Sequence, residues 1–216
     1  GGTTPYSYSW TGPGGFTSSS QNLTNRFAGA YNLTVTDANG CTTTNAITLT
    51  QPDVLSTSGI NAQQYAGGYN ITCNGASNGS INYSATGGTT PYGYSWTGPG
   101  GFTSTSQNLI NLFAGAYNLT VTDANGCSIT ANATITEPPA LTAAGSTVTD
   151  VLCSGGNNGS VSVTPGNGTP AYTYLWTPSA QTTQVAINLS AGTYTITITD
   201  ANGCSATSTE IGRAHV

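Results

Sequence analysis

The feature that most constrains this chain is a motif that occurs three times. It runs from Tyr31 to Cys41, from Tyr117 to Cys127 and, with Ile in place of Leu and Val, from Tyr194 to Cys204. Its apolar residues alternate with Asn or Thr, which is typical of a half-buried strand. The Asp-Ala-Asn-Gly that follows predicts a tight hairpin turn, because Asp bonds nearby backbone and Asn-Gly readily adopts positive φ. The chain is therefore a tandem array.

The array divides into a partial repeat, two longer repeats and a tail. Residues 1–51 correspond to the back part of a repeat truncated at its N-terminus, residues 52–138 to a complete repeat and residues 139–210 to a third. A Trp recurs at spacings of 86 and 80 residues. This repeat length suits a small β-sandwich better than a solenoid coil of about 20–45 residues.

The C-terminal residues depart from the repeat pattern. Repeat two closes with Thr136-Glu137-Pro138, whereas repeat three reaches Thr209-Glu210 and then departs from it. Residues 211–216 are what the start of a common sequencing adapter encodes in the frame ATC-GGA-AGA-GCA-CAC-GTC. We therefore expect a non-native tail and exclude it from the fold prediction.

Composition predicts an all-β fold. Only 4% of residues are charged, and Gly-containing turns separate short segments rich in Thr, Tyr, Val and Ile. The proline-marked linkers Gln51-Pro52 and Glu137-Pro138-Pro139 favour stiff, extended connections. We therefore expect tandem β-sandwich repeats arranged as an extended rod.

Each repeat also contains an aromatic strand, Tyr-x-Tyr-x-Trp, whose aromatic side chains share one face. An opening strand that ends in cysteine, Tyr69–Cys73 or Val151–Cys153, is expected before it. Arg26 takes the place of the apolar Leu112, and a buried Arg without a partner is costly, so a sequencing error and a tolerated change both stay open. The predicted core residues are Trp10, Trp96, Trp176, Tyr31, Tyr117, Tyr194, Leu112 and Leu189.

The five cysteines take two positions in the repeat. Cys73 and Cys127 lie near the two ends of repeat two, and Cys153 and Cys204 take the same places in repeat three. We predict the disulfides Cys73–Cys127 and Cys153–Cys204, with the partner of Cys41 lost by truncation. Each would contribute roughly 4 kcal/mol in the chain-entropy model and would indicate an oxidising, extracellular location. Zinc is disfavoured because the chain has no C-x-x-C and, without the tail, no His.

The sequence predicts neither catalysis nor a cofactor. Without the tail the chain has no His or Lys, so no base is available to activate a serine nucleophile. Asp123 and Glu137 lie at opposite ends of one strand and cannot form a hydrolytic carboxylate pair. The formal charge of −5 argues against a basic nucleic-acid interface and against docking on an anionic membrane.

The three turns also resemble the start of a calcium-binding EF-hand loop. Asp37, Asp123 and Asp200 would be the candidate ligands, but the later ligands and the closing Glu are missing. The simpler interpretation is that each Asp bonds the backbone of its own turn. Calcium between domains, with Asp53 or Asp150 contributing, stays open.

The combined pattern resembles a known family. Gly-x-x-Pro-Tyr-x-Tyr-x-Trp, followed by Leu-x-x-Gly-x-Tyr-x-Val-x-Val-x-Asp-x-x-Gly-Cys, resembles the SprB repeat of very large surface adhesins of gliding Bacteroidota. The resemblance covers Gly87–Cys127 and Gly168–Cys204, and Gly1–Cys41 is nearly identical to the first of these. It implies Ig-like domains, export by the type IX secretion route, and roles in surface adhesion and gliding motility.

The leading hypothesis is a non-catalytic, disulfide-stapled stalk of a secreted bacterial cell-surface adhesin. Its expected partners are surface polysaccharide, bound weakly by loops such as Gly98–Ser106, or other copies of itself, with no nucleic acid and no membrane insertion. Two alternatives stay open: a self-assembling fibre or surface-layer protein, and a carbohydrate-binding module array of a secreted hydrolase.

Overall fold

The chain folds into antiparallel β-sheets, which confirms the predicted all-β class. The computed structural model describes residues 1–213. The chain divides into two compact units, Gly1–Val54 with the partial repeat and Leu55–Val216 with repeats two and three. No helix in this described part has the length and apolar character needed to cross a membrane.

The first unit is a single four-stranded sheet. Its strands are β1 (Ser7–Gly12), β2 (Phe16–Ser18), β3 (Gly29–Thr36) and β4 (Thr42–Leu49). Their order in the sheet is β2-β1-β3-β4. The predicted hairpin is present as β3 and β4, which pair in register from Gly29 with Leu49 to Thr36 with Thr42.

Repeat two is a complete two-sheet sandwich. Its strands are β5 (Ser56–Ala62), β6 (Gly79–Thr86), β7 (Gly93–Thr97), β8 (Thr103–Ser104), β9 (Leu109–Leu112), β10 (Gly115–Thr122) and β11 (Ser128–Ile135). One sheet has the order β5-β6-β9 and the other β11-β10-β7-β8. The recurring motif forms β10, and β11 is its hairpin partner.

Repeat three has the same design. Its strands are β12 (Thr142–Thr149), β13 (Gly159–Gly166), β14 (Thr173–Thr177), β15 (Val185–Leu189), β16 (Gly192–Thr199) and β17 (Ser205–Gly212). The sheets have the orders β12-β13-β15 and β14-β16-β17. In both repeats the first strand ends before the first cysteine, at Ala62 in repeat two and at Thr149 in repeat three. Tyr69–Cys73 and Val151–Cys153 were expected as strands, but they form bends and an isolated bridge because their backbone groups bond loop residues.

The cores of repeats two and three contain the residues that the alternating pattern predicts. Trp96 and Trp176 are at most 1% exposed, and each indole N–H donates to a backbone carbonyl, that of Ser106 or Thr183. Tyr117, Tyr194, Leu112 and Leu189 are also buried. Alternate positions of β10 and β16 face this core, so strand periodicity and burial agree.

Trp10 is the exception among the predicted core residues. It is only partly buried, although β1 pairs with β3 as β7 pairs with β10. Trp96 packs against Tyr83 of β6 with ring centroids 6.3 Å apart, and the described first unit has no sheet equivalent to β5-β6-β9. Tyr31 remains buried, with Phe16 against its ring. The prediction for Trp10 is wrong because a sandwich core needs both sheets.

Arg26 avoids the burial that its sequence position suggested. The residue is exposed, and its guanidinium lies 4.5 Å from the ring centroid of Phe16. Its Nε donates a hydrogen bond of 2.7 Å to the Thr24 carbonyl. The charge stays in water because no second sheet covers this face of the first unit.

The last strand, β17, extends into the expected tail. Ile211 and Gly212 are paired strand residues, with Gly212 opposite Gly192 just as Ile135 lies opposite Gly115. Gly212 therefore takes the place of Ile135. Glu210, opposite Tyr194, corresponds to Ala133 and not to Glu137. Residues 214–216 of the expected tail lie outside the described residues.

Gly212 lines a small cavity that an apolar side chain fills in repeat two. Ile135 is 1% exposed and belongs to the core of repeat two. The cavity in repeat three is bordered by Val151, Leu189 and Gly212 among others. A Cβ built on Gly212 meets only backbone oxygens at 3.9 Å, so a side chain fits without displacing the strand.

We expect Gly212→Ile to stabilise repeat three, because it would bury most of an aliphatic side chain. Burying an Ile contributes about 2 kcal/mol, and β-branched residues also favour strands. Urea unfolding followed by Trp fluorescence measures the gain. Gly212→Ser is the control, since it changes the backbone preference without filling the cavity with apolar atoms; an equal gain from Ser would contradict the cavity explanation.

Candidate functional site: the joint between repeats two and three

Each sandwich has two ends that carry different segments. The turn end holds the Asp-Ala-Asn-Gly-Cys turn, residues 123–127 or 200–204, and the loop end holds the first cysteine, within residues 66–75 or 150–156. In repeat two, β11 connects these ends. Cys127 comes just before β11, and the N–H groups of Asn70 and Ile71 donate to the Thr136 carbonyl just after it, at 2.9 and 3.1 Å.

This geometry overturns the predicted disulfides. The 8 residues of β11 span about 26 Å, whereas the Cα atoms of a disulfide lie within about 7 Å. Repeat three is built alike, since Val151 N–H donates to the Arg213 carbonyl just after β17. The pairings Cys73–Cys127 and Cys153–Cys204 are therefore wrong, because each would join opposite ends of one sandwich.

The structure instead links two repeats. Cys73, at the loop end of repeat two, forms a disulfide with Cys204, at the turn end of repeat three. Their Cα atoms are 5.5 Å apart, and 131 positions separate them in sequence. Cys41, Cys127 and Cys153 are free and exposed.

A single carboxylate organises the turn end of repeat three. Asp200 Oδ1 accepts hydrogen bonds of 2.9 Å from the N–H groups of Asn202 and Cys204, and Oδ2 accepts one of 2.9 Å from Thr169 N–H. The first two bonds close the turn, and the third ties it to the neighbouring loop. The carboxylate thereby fixes the position of Cys204.

The other two turns use the same bonds. Asp123 accepts from Thr89, Asn125 and Cys127, and Asp37 from their counterparts in the first unit. The N–H of Thr89 is the main cause that lowers the pKa of Asp123 below the ordinary 3.8. Thr3 has the same effect on the pKa of Asp37.

These bonds favour the structural interpretation of the turns over calcium binding. Both carboxylate oxygens of Asp37, Asp123 and Asp200 already accept backbone N–H groups. Asp150, offered as an additional ligand, accepts from Arg213 N–H through Oδ1, and Asp53 is exposed. Across residues 1–213, no three His, Cys, Asp or Glu side chains group as metal ligands.

An asparagine carries the polar contact across the joint. Asn202 Nδ2 lies 3.0 Å from Thr169 Oγ1, 3.1 Å from the Ala66 carbonyl and 3.4 Å from the Thr72 carbonyl. Thr169 belongs to repeat three, and the two carbonyls belong to the loop end of repeat two. The side chain therefore connects the two repeats beside the disulfide.

The linker is fixed against the same loop end. Glu137 Oε2 accepts a hydrogen bond of 2.6 Å from Gly75 N–H, and the Pro138 carbonyl accepts one of 3.1 Å from Asn74 Nδ2. Pro138 itself is buried. Repeats two and three are thus connected by a fixed linker and by a second covalent bond, which together oppose rotation about the linker.

Sequence reasoning missed the roles of Asn74, Thr169 and Asn202. Asn202 has counterparts at Asn39 and Asn125, each the third residue of its turn. Turn formation alone is enough to explain this recurrence, because any Asn-Gly pair can adopt the backbone conformation of the turn. The contacts of its amide depend on which end of the neighbouring repeat lies beside it.

We predict that peptide mapping will find Cys73 linked to Cys204. Cleavage before the Asp residues places each cysteine on its own peptide: residues 37–52, 53–122, 123–149, 150–199 and 200–216. A digest of the denatured, unreduced, thiol-blocked chain should contain peptide 53–122 joined to peptide 200–216. Recovery of 53–122 joined to 123–149 would restore the pairing within repeat two and contradict the joint.

We predict that Asp123→Asn will destabilise repeat two at neutral pH and flatten its acid dependence. The amide cannot accept at both positions, so one backbone N–H loses its acceptor. Because folding lowers the pKa of Asp123, its stabilisation is present above pH 3.8 and is lost as the pH falls through the native value.

Thermal melts at pH 7 and at about pH 2.5 test this. The variant should melt several degrees below the parent at pH 7, and the difference should shrink in acid. Exposed Asp53→Asn is the matched control and should follow the parent at both pH values. A constant difference between parent and Asp123→Asn would exclude the charged carboxylate as the cause.

Three solved structures were among those similar to this chain. The three N-terminal domains of the highly immunogenic outer capsid protein (Hoc) of bacteriophage RB49 align over 99% of this chain and 89% of that one, with 16% identity and a TM-score of 0.42. A C-terminal fragment of intimin, solved with the intimin-binding domain of its translocated receptor, aligns over 73% and 64%, with 15% identity and a TM-score of 0.40. Domains 7, 8 and 9 of the S-layer protein SbsC align over 88% and 72%, with 11% identity and a TM-score of 0.25.

The family comparison agrees with the motifs. No curated protein sequence matched the chain. The family model described as the SprB repeat matches residues 69–101 and 145–181, which lie in repeats two and three. These stretches include the first cysteine, the aromatic strand and its Trp in each repeat. The resemblance is thereby confirmed, since the SprB-repeat model matches part of repeat two and part of repeat three.

Proposed function

We propose that this chain is a non-catalytic stalk segment of a secreted bacterial cell-surface adhesin, in which consecutive repeats are locked end to end. The observation that carries the proposal is the Cys73–Cys204 disulfide, which joins two sandwiches and not two strands of one. A bond in this place contributes little to the stability of either sandwich by itself. It fixes the spacing and rotation of neighbouring domains, which is what a stalk requires.

The polar groups around the joint support a mechanical role. Asp200 holds the turn, Asn202 bridges to the preceding repeat, and Glu137 holds the linker through Gly75. These side chains are engaged by backbone groups and are not directed together into a cleft. The acidic residues that could have suggested chemistry are thus part of the scaffold.

The proposed location is the cell surface. Disulfides persist in oxidising compartments, and SprB repeats occur in surface proteins. Export by the type IX route and a role in adhesion or gliding follow from the family resemblance. Weak polysaccharide binding would fall to loops such as 98–106, because the alternate strand residues pack in the cores and the turn of repeat three is engaged in the joint.

Pulling single molecules by their two termini tests the proposed stalk. With the disulfide intact, the loop closed by Cys73 and Cys204 cannot extend, so force passes directly between the two cysteines. Reduction should release the 131 residues of that loop, which adds about 450 Å of contour length. We expect Cys73→Ser to show the longer contour length without reductant.

Cys127→Ser is the matched control, because Cys127 is free and exposed. It should extend like the parent in both oxidised and reduced states. Equal contour lengths for the parent with and without reductant would mean that the joint does not bear tension, and the stalk proposal would fail.

A further inference from the structure

We propose that the three free cysteines are unpaired halves of the same joint, and that they link copies of this chain end to end. Cys153 lies at the loop end of repeat three, as Cys73 does in repeat two, and we call such an end with its cysteine a loop half. Cys41 and Cys127 lie at the turn ends of their repeats, as Cys204 does, and we call such an end with its cysteine a turn half. The inferred partner is a second copy of this chain, which presents the complementary half. This inference rests on the joint described for the proposed function.

The loop half around Cys153 has the same local structure as the half that is bonded. Thr72 N–H donates to Asn78 Oδ1 at 3.2 Å, and Leu152 N–H donates to Asn158 Oδ1 at 3.2 Å. The carbonyls of both cysteines, Cys73 and Cys153, accept a bond of 3.0 Å from the N–H three residues later. The free loop therefore already has the two local hydrogen bonds that hold Cys73 in the bonded loop.

The turn halves are also preformed. Asn125 Nδ2 donates to Thr89 Oγ1 at 2.9 Å, and Asn39 Nδ2 donates to Thr3 Oγ1 at 3.0 Å. Asn202 makes the corresponding 3.0 Å bond to Thr169 Oγ1 within the joint. A threonine at the equivalent position thus orients the asparagine in every turn, whether or not a partner is present.

Exposure distinguishes the open halves from the closed joint. Cys73, Thr72 and Cys204 are partly buried at the joint, whereas Cys127 and Cys153 are exposed. Leu152, the counterpart of Thr72, is 70% exposed. The two open surfaces are those that the joint covers between repeats two and three.

The structure of the joint determines the direction in which two copies meet and the contacts that they make. A loop half meets a turn half, so the contact is head-to-tail and can continue into open chains. The Thr72 carbonyl accepts from Asn202, so the Leu152 carbonyl is the corresponding acceptor for Asn39 or Asn125 of the second copy. Repeat three has a shorter loop end with no counterpart of Ala66, which leaves this carbonyl as the acceptor.

The covalent step is the oxidation of two thiols. Cys153 of one copy and Cys127 or Cys41 of another each lose a proton and together lose two electrons, and a sulfur–sulfur bond forms. A small-molecule disulfide such as oxidised glutathione takes the electrons and becomes two thiols by exchange. The Cys73–Cys204 bond is not consumed.

Incubation of the full chain in a glutathione redox buffer tests the inference. Non-reducing electrophoresis should show a ladder of oligomers, and the Asp-directed digest should show peptide 150–199 joined to 123–149 or to 37–52. Cys153→Ser should abolish the ladder, and so should the Cys41→Ser/Cys127→Ser double variant. Either turn variant alone should keep the ladder, because one cysteine of each kind remains in every copy.

A second measurement separates docking from simple thiol oxidation. Replacing both Asn39 and Asn125 with Ala removes the bridging amides and should slow oligomer formation several-fold, while the thiols keep their reactivity toward a small aromatic disulfide. Dimers linked mainly through Cys153 of both copies, or an unchanged rate in the Asn variant, would overturn the inference. Absence of the ladder while peptide 53–122 stays joined to 200–216 would do the same and leave the stalk proposal intact.

Discussion

The carboxylate of the turn aspartate is the interaction on which the rest of each repeat depends. In repeat three, Asp200 collects three backbone N–H groups from the turn and from the Thr169 loop. These groups would otherwise lack partners at the end of a sandwich, where the strand ladders stop. By satisfying them together, one side chain closes the β16–β17 hairpin, attaches the loop before the aromatic strand, and aims Asn202 and Cys204 at the neighbouring repeat.

The strands and cores could be predicted because they follow local periodicity. Leu119 and Val121 are buried on the same face of β10, as their alternation with Thr indicates. Burial also needs a covering layer, and alternation carries no information about it. Trp10 and Arg26 show this, since each takes a core position of the repeat and neither is buried in a unit with one sheet.

The disulfide could not be predicted from position within the repeat. Cys73 and Cys127 looked like partners because they bracket repeat two in sequence. Strand direction carried the missing information: β11 separates Cys127 from the segment that bonds the loop of Cys73. Applying the length of that strand to the cysteines would have excluded the pairing, but only the structure shows which end of repeat three meets the loop.

The disulfide of the joint changes what happens when a protease cleaves the chain. The disulfide spans from Cys73 in one repeat to Cys204 in the next, so it closes a covalent ring that includes the linker between them. A protease that cuts once anywhere inside this ring opens it without separating the two fragments. Exposed loop tips are the usual sites of proteolytic nicking, and the ring contains several such loops. A protein built this way keeps its distal repeats after a cut that would release them from a string of domains without the disulfide.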